Sequence, residues 1–329
     1  MEKNRLTAIL NKFYGIEATF IEQRPGGWSA LAYEVQDRNN KYFLKVYNKN
    51  KPSVVRWIHA IDIYTPLVKW LHDQTDLKHH IINPILTLSD QNKCEDSEFV
   101  YVLSEYIEGV TIGENQLSSD QVNELAKILG ILHNNTSMIT NELKELQIKE
   151  TYSTELCDSL FSFIHHDLDQ KDDGLLVMVK PYIDSLKENI ERIRTLSNKL
   201  ANKQHNFVLS HSDAHNWNVM QSRNLMLIDW ECLKLAPQEQ DLILFVTESY
   251  AKQFLHEYKK YMNYDTPDFD AFEFYYLKRI LEDIWEWIND LRYEGLVKSE
   301  DVTLNFLKLN LEACTRTGRF RSELQKVFQ

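Results

Sequence analysis

Polar side chains crowd one short segment of the chain, SHSDAHNWN, which lies between two apolar runs. It contains His211, Asp213, His215 and Asn218, and Asp229 follows eleven residues after Asn218, at the end of the apolar run LMLID. In phosphoryl transfer, one carboxylate orients the attacking hydroxyl and accepts its proton, while an amide oxygen and a second carboxylate hold Mg²⁺ against the phosphates. The H-x-D-x4-N spacing, followed by a strand that ends in aspartate, predicts this chemistry, with Asp213 as the catalytic base and Asn218 and Asp229 as the magnesium ligands.

The same segment has a second interpretation as a transition-metal site. His211, Asp213 and His215 alternate along the chain and would share one face of a strand. Zinc needs a further ligand, and the sequence offers no CxxC pair and no nearby Cys/His partner. A metal-dependent hydrolase built on these three residues is a rival hypothesis. A non-catalytic nucleotide-binding regulator is another.

A lysine within an apolar strand supplies the remaining group that phosphoryl transfer requires. Lys45 lies in the run YFLKVY, where burial of an unpaired ammonium would be costly. Such a lysine steadies the nucleotide phosphates in kinases. The alternative is a lysine whose charged end reaches solvent from an edge strand.

Composition narrows the classes of partner. The 329 residues carry a formal net charge of −12, and the pI is near 5.4. Nucleic acid is an unsuitable partner because phosphate backbones need clustered Lys and Arg, whereas a surplus of carboxylates suits a cationic small molecule. The four cysteines form no CxxC pair, the N-terminus lacks the features of a signal peptide, and no apolar run approaches the ~18 residues of a membrane span. These features predict a cytoplasmic protein.

Hydrophobic periodicity predicts a β-rich first part and a helical second part. The runs ATFIEQ, ALAYEVQD and KYFLKVY are separated by turn residues and predict an antiparallel meander. The resulting fold is α+β with two lobes: residues 1–103 form a small antiparallel-sheet lobe, 104–109 a hinge, and 110–329 a larger, mainly helical lobe. The other predicted elements are a helix over 2–14, a helix over about 53–74 that Pro66 bends or divides, strands at 81–88 and 99–106, a helix over 121–133, a hairpin around QSRN within 207–229, and helices from 238 onward.

Several of these segments resemble a known family. LSHSDAHNWNVM together with LIDWE is similar to the signature of the aminoglycoside phosphotransferase and choline kinase superfamily. FLKVY, LAKILGILH and EQDLILF agree with it, and the resemblance runs from about residue 6 to residue 325. It implies a bilobal protein-kinase-like fold and transfer of the γ-phosphoryl group of a nucleoside triphosphate to a small-molecule hydroxyl. The implied cofactor is Mg²⁺, and the implied donor is ATP, with GTP as the alternative.

The resemblance also implies a nucleotide site in the first lobe. Lys45 would contact the α- and β-phosphates, and the loop RPGGWSA would cover the nucleotide, with Ser29 reaching a phosphate. In YVLSEYIEG, the carbonyl of Ser104 and the amide of Tyr106 would face the adenine edge. Kinase-like folds pair the lysine with a helix glutamate, and the position that lines up here is Asp62. Its side chain is one methylene shorter, so the pair would need a closer helix or a bridging water; a solvent-facing helix residue is the alternative.

Three further residues are expected to have structural roles near the site, and two of them, His211 and Asp241, resemble structural positions of the family. His211 matches the histidine that precedes the catalytic aspartate, and His215 would orient the loop without transferring protons. Asp241 in EQDL resembles an aspartate that braces the catalytic loop. The residue before it is Gln240 where relatives often have arginine, so any ion pair made through that arginine is in doubt.

Acidic residues are the candidates for binding the acceptor. Glu231 follows Asp229 by two residues and would share its face if the strand continued, which would direct Glu231 to a substrate ammonium group. Asp283 and Glu286 lie off the apolar stripe of a predicted helix, where they would face positive charges of the acceptor or simply solvent. LIDWECLKLAPQEQDLILF and RILEDIWEWINDLR are most similar to the spectinomycin phosphotransferase subgroup, which implies an aminocyclitol acceptor. A choline-, methylthioribose- or homoserine-type acceptor is the rival within the same chemistry.

Overall fold

A computed structural model describes residues 2–25, 29–146, 148–166, 174–294 and 299–329 of the chain. The residues form two units. The first comprises Met1–Ile148, Leu209–Leu235 and Glu257–Met262, and the second comprises Lys149–Val208, Ala236–His256 and Asn263–Gln329. Each unit is described by itself below.

The first unit is built on one antiparallel sheet, as the meander pattern predicts. Its strand order is β1-β2-β3-β6-β4, and β5 pairs with β6. The turn between β2 and β3 forms because Asp37 Oδ1 accepts hydrogen bonds from the amides of Asn39 and Asn40, both at 2.7 Å. The strands are β1 (Phe20–Arg24), β2 (Leu31–Gln36), β3 (Lys41–Asn48), β4 (Pro84–Ile85), β5 (Cys94–Glu95) and β6 (Phe99–Glu105).

The helices of the first unit are α1 (Lys3–Ile9), α2 (Pro52–Gln74), α3 (Ser119–Asn134) and α4 (Asn141–Leu146). A π-helical turn, Leu10–Tyr14, continues α1. Proline at the first position starts α2, and Pro66 inside it does not divide the helix. A capping box starts α3, because Ser118 accepts from the Gln121 amide while the Gln121 side chain accepts from the Ser118 amide. The predicted helices of this unit are confirmed.

Short strands frame the polar segment of the first unit. The predicted hairpin around QSRN is confirmed, since β9 and β10 pair directly, and β7 pairs with the other edge of β9. β8 and β11 form a separate two-stranded sheet. β5, β7 and β11 were not expected from the sequence, and the expected strand at 81–88 is reduced to β4. The strands are β7 (Val110–Thr111), β8 (Val208–Ser210), β9 (Val219–Gln221), β10 (Leu225–Leu227) and β11 (Lys234–Ala236).

The second unit is helical, with α10 at its centre. α10 packs against α5, α7, α8 and α11. Its predicted apolar stripe, Leu277, Leu281, Ile284 and Ile288, is buried, which confirms the helical periodicity. Within the described ranges, no helix is both long and apolar enough to cross a membrane. The helices are α5 (Glu155–His166), α6 (Gly174–Val179), α7 (Ile183–Ala201), α8 (Glu239–Val246), α9 (Ala251–Tyr258), α10 (Phe269–Asn289), α11 (Glu300–Cys314) and α12 (Phe320–Val327).

Candidate active site

The loop between β8 and β9 holds Asp213 through its own polar residues. Asn218 Nδ2 donates to the Asp213 carbonyl at 2.8 Å and to Asp213 Oδ2 at 2.9 Å. His215 Nε2 lies 3.3 Å from the same carboxylate oxygen. Ser212 has a φ of 69°, a conformation that non-glycine residues seldom adopt and that turns the chain sharply before Asp213. The sequence-predicted base and one predicted metal ligand are thus direct neighbours.

His211 is completely buried, and both of its ring nitrogens are engaged within the protein. Its Nε2 lies 3.1 Å from the Ile228 carbonyl, and its Nδ1 lies 3.3 Å from the Asp213 amide. A carbonyl only accepts and an amide N–H only donates, so the ring is neutral with its proton on Nε2. The ring edge also contacts Trp230, with 4.6 Å between the centroids. The zinc interpretation therefore loses one of its three ligands, and no cluster of His, Cys, Asp and Glu suited to a metal occurs among the described residues.

Asp229 follows β10 in a strained backbone conformation. Its φ is 66°, and it precedes a single 3-10 turn, Trp230–Cys232. The condition under which Glu231 would share a strand face with Asp229 is not met, because β10 ends at Leu227. Non-glycine residues in this conformation cost about 1–3 kcal/mol and cluster at functional sites.

The oxygen donors around Asn218 and Asp229 fit magnesium. The Ile228 amide donates to the Asn218 carbonyl at 2.9 Å, which ties the two segments together one residue before Asp229. Asn218 uses its Nδ2 on Asp213, so its Oδ1 remains the accepting side of the amide. A set of amide and carboxylate oxygens is what Mg²⁺ prefers.

Lys45 on β3 contacts the carboxylates of Asp229 and Glu231. Its Nζ lies 2.8 Å from Asp229 Oδ1 and 2.7 Å from Glu231 Oε1. Burial disfavours the ammonium, but the charges of Asp229 and Glu231 outweigh it and raise the pKa of Lys45. Lys45 is therefore charged at physiological pH.

Glu231 has a different neighbourhood from the one expected. Its carboxylate accepts hydrogen bonds from Lys45, from the Tyr47 hydroxyl, and from Ser29 Oγ at 2.9 Å. Only 6% of the side chain is exposed. Glu231 does not have the predicted orientation toward a substrate amine, because the 3-10 turn after Asp229 places its carboxylate against Lys45.

Asp62 is not the partner of Lys45, although both residues lie in the described part of the chain. Its carboxylate contacts Lys93 Nζ at 2.6 Å and Asn92 Nδ2 at 3.2 Å, and its side chain is 55% exposed. The helix α2 instead presents Tyr64, which is buried and lies near Lys45 and Glu231. The expected Lys45–Asp62 pair does not form. Asp62 pairs with Lys93, and the charge of Lys45 is balanced by Asp229 and Glu231.

Two tyrosines were missed in the sequence, although one left a signal. Tyr47 is two residues after Lys45 on the same strand and so must share its face. Tyr64 left none, because only packing of α2 brings it to Tyr47.

The predicted adenine contacts lie at the end of β6. Ser104 is buried and pairs with Phe43 on β3 and Pro84 on β4. The Tyr106 amide donates to the Lys41 carbonyl at 3.3 Å, so an adenine contact at this amide would have to replace that bond. In RPGGWSA, Ser29 contacts Glu231, and residues 26–28 lie outside the described ranges.

Three predicted residues belong to the second unit. Asp241 is completely buried on α8. Asp283 is half-buried and Glu286 is exposed on α10, both off the buried apolar stripe.

Comparisons with known proteins assign this chain to a family. The sequence profile of the phosphotransferase enzyme family matches residues 21–275, most of the chain. This chain belongs to that family. A search of curated protein sequences finds no significant match. The result confirms the resemblance found in the sequence and identifies the chain as a phosphotransferase.

Solved structures of small-molecule kinases share the fold of this phosphotransferase. The spectinomycin phosphotransferase APH(9)-Ia, in complex with ADP and spectinomycin, is 21% identical with a TM-score of 0.75, over 97% of this chain and 99% of that one. The amicoumacin kinase hAmiN is 14% identical with a TM-score of 0.64, over 95% and 93%. The choline kinase LicA from Streptococcus pneumoniae is 16% identical with a TM-score of 0.62, over 95% and 99%. The predicted α+β kinase-like fold is confirmed.

Proposed function

We propose that this phosphotransferase transfers the γ-phosphoryl group of ATP to a hydroxyl of a cationic, spectinomycin-like aminocyclitol. The observation that carries the proposal is the group formed by Asp213, Asn218, Asp229 and Lys45 in one unit. Residues 1–103 would bind the nucleotide, 104–109 would form the hinge, and 110–329 would carry the base and the acceptor site. Four free cysteines, three of them buried, are compatible with a reducing cytoplasm.

The proposal assigns a role to each of the four side chains. Asp213 orients the acceptor hydroxyl and takes its proton as the oxygen attacks the γ-phosphorus, while the bond from that phosphorus to the β–γ bridging oxygen breaks and ADP leaves. Asn218 keeps that carboxylate in place through Nδ2, and Lys45 holds the phosphates through charge. Asn218 and Asp229 would hold Mg²⁺, which when bound neutralises the charge of the phosphates. Positioning and charge neutralisation account for most of the rate in such reactions.

Acidic residues and the fold shared with a spectinomycin phosphotransferase support the choice of acceptor. The net charge of −12 favours a cation, and α10 carries two acids off its buried stripe, Asp283 half-buried and Glu286 exposed. The solved structure with a TM-score of 0.75 is that of a spectinomycin phosphotransferase. A choline-type amine is the second candidate, since the choline kinase from Streptococcus pneumoniae shares the fold.

Nucleotide consumption by the purified protein tests the proposal. Mg²⁺-ATP and Mg²⁺-GTP would each be offered with spectinomycin, with several 2-deoxystreptamine aminoglycosides and with choline. We expect spectinomycin-dependent turnover that falls about 10²- to 10⁴-fold in Asp213→Ala. The matched control is Asp120→Ala, an exposed acid on α3 of the same unit, which should retain turnover.

The outcomes separate chemistry from substrate. Turnover with choline alone would replace the aminocyclitol with a metabolic amine and leave the chemistry standing. Full activity of Asp213→Ala would refute the assignment of the base. Nucleotide binding without turnover on any acceptor would favour the regulator hypothesis.

A further inference from the structure

We infer that Glu231, held by Tyr47 and Ser29, is the residue that positions Lys45 for the nucleotide phosphates. The inference rests on the proposed function, because that function assigns Lys45 to the phosphates. Glu231 would take the role that the sequence suggested for Asp62. The carboxylate that pairs with the lysine would then lie in the turn after Asp229 and not on the helix α2.

Both carboxylate oxygens of Glu231 are occupied by donors from the first unit. Oε1 accepts from Lys45 Nζ at 2.7 Å and from the Tyr47 hydroxyl, and Oε2 accepts from Ser29 Oγ at 2.9 Å. A buried carboxylate with three donors is fixed in direction, since rotation would break all three bonds. Glu231 is therefore a rigid anchor for the end of the lysine.

The two tyrosines form a second layer behind Glu231. Tyr47 is fully buried and Tyr64 nearly so. Burial and the nearby Glu231 raise the pKa of both phenols, so both keep their protons. Tyr47 has one proton and directs it to the carboxylate of Glu231. The helix α2 thus places the buried Tyr64 near the lysine where the sequence suggested an acid.

The division of work between the two carboxylates follows from their surroundings. Asp229 is partly exposed and is the proposed magnesium ligand, whereas Glu231 is enclosed. Glu231 is thus the partner that Lys45 keeps when the nucleotide is bound. Without a fixed partner the ammonium group of Lys45 would no longer be held toward the phosphates, and the affinity for the nucleotide would fall.

Calorimetric titration of the full chain with Mg²⁺-ATP, without an acceptor, tests this inference. We expect Glu231→Gln to weaken binding about 10-fold, the order expected for loss of a charge-assisted hydrogen bond. Tyr47→Phe, which removes only the hydroxyl, should weaken it about 3-fold. Asp62→Asn, at the rival position, should leave the affinity within about twofold. Circular dichroism would confirm that each variant is folded.

Combining Glu231→Gln with Lys45→Met distinguishes positioning from other roles. If Glu231 acts through Lys45, its replacement adds almost no further loss in the Lys45→Met protein. An equal loss in both backgrounds would overturn the inference, because a metal ligand or a structural residue would act independently of the lysine. Loss of affinity in Asp62→Asn with none in Glu231→Gln would also overturn it. Wild-type protein that binds no nucleotide would instead refute the proposed function itself.

Discussion

Replacing Lys45 with methionine should destabilise the protein through the two carboxylates that the lysine joins. Lys45 Nζ lies 2.8 Å from Asp229 Oδ1 and 2.7 Å from Glu231 Oε1, so these oxygens are at most 5.5 Å apart (2.8 Å plus 2.7 Å). Two unit charges at that distance repel by about 3 kcal/mol at an effective dielectric constant of about 20. Because 32% of the Asp229 side chain is exposed and water screens it, we expect Lys45→Met to lower the free energy of unfolding by about 2 kcal/mol.

Urea denaturation followed by tryptophan fluorescence, in the presence of EDTA, would measure this loss. Lys93→Met is the matched control, because Lys93 pairs with the single exposed carboxylate of Asp62 and should cost less than about 1 kcal/mol. Adding Glu231→Gln to Lys45→Met removes the repulsion and should recover most of the lost stability. The reasoning fails if the double variant is as unstable as Lys45→Met, or if the two lysine variants lose equal stability.

Two further predictions concern stability. Burial opposes the charge on Asp96, but hydrogen bonds led by that from Arg5 keep its pKa well below the usual range. The free energy of unfolding of the wild-type protein should therefore exceed that of Asp96→Asn by about 1–2 kcal/mol at pH 7. The urea midpoints of the two proteins should converge as the pH falls below about 4, because the Asp96 carboxylate then becomes protonated. A Cβ at Gly109 would meet the Gln221 carbonyl oxygen at 2.6 Å, so Gly109→Ala should cost about 2 kcal/mol in urea, whereas Gly318→Ala, with no atom within 4 Å, should cost nothing measurable.

Local sequence patterns were enough to predict the candidate site residues that lie close together in the chain. Asp213 and Asn218 lie five residues apart on one loop, and the loop geometry brings them together wherever it is placed. The apolar strand around Lys45 and the stripe on α10 follow from periodicities of two and 3.6 residues. These features depend on neighbours in sequence, so a sequence contains them.

The partner of Lys45 depended on the tertiary structure. Counting positions along the next helix suggested Asp62, which instead binds Lys93 at the surface. The observed partners are distant in sequence, and Glu231 reaches the lysine only because β10 ends early and a 3-10 turn follows Asp229. No local periodicity marks that turn, since a left-handed aspartate is stabilised by its surroundings.

The sequence by itself determined that this protein is a phosphotransferase, and it predicted a base, two oxygen donors for magnesium and a lysine for phosphates. Residue types and short spacings carry that information because each group needs particular atoms at particular intervals. The tertiary structure alone decided which carboxylate holds the lysine, and that the Tyr47 hydroxyl donates to the same carboxylate. These contacts join residues up to 186 positions apart, and only the packing of β3 against the turn at 230–232 brings them within hydrogen-bonding distance.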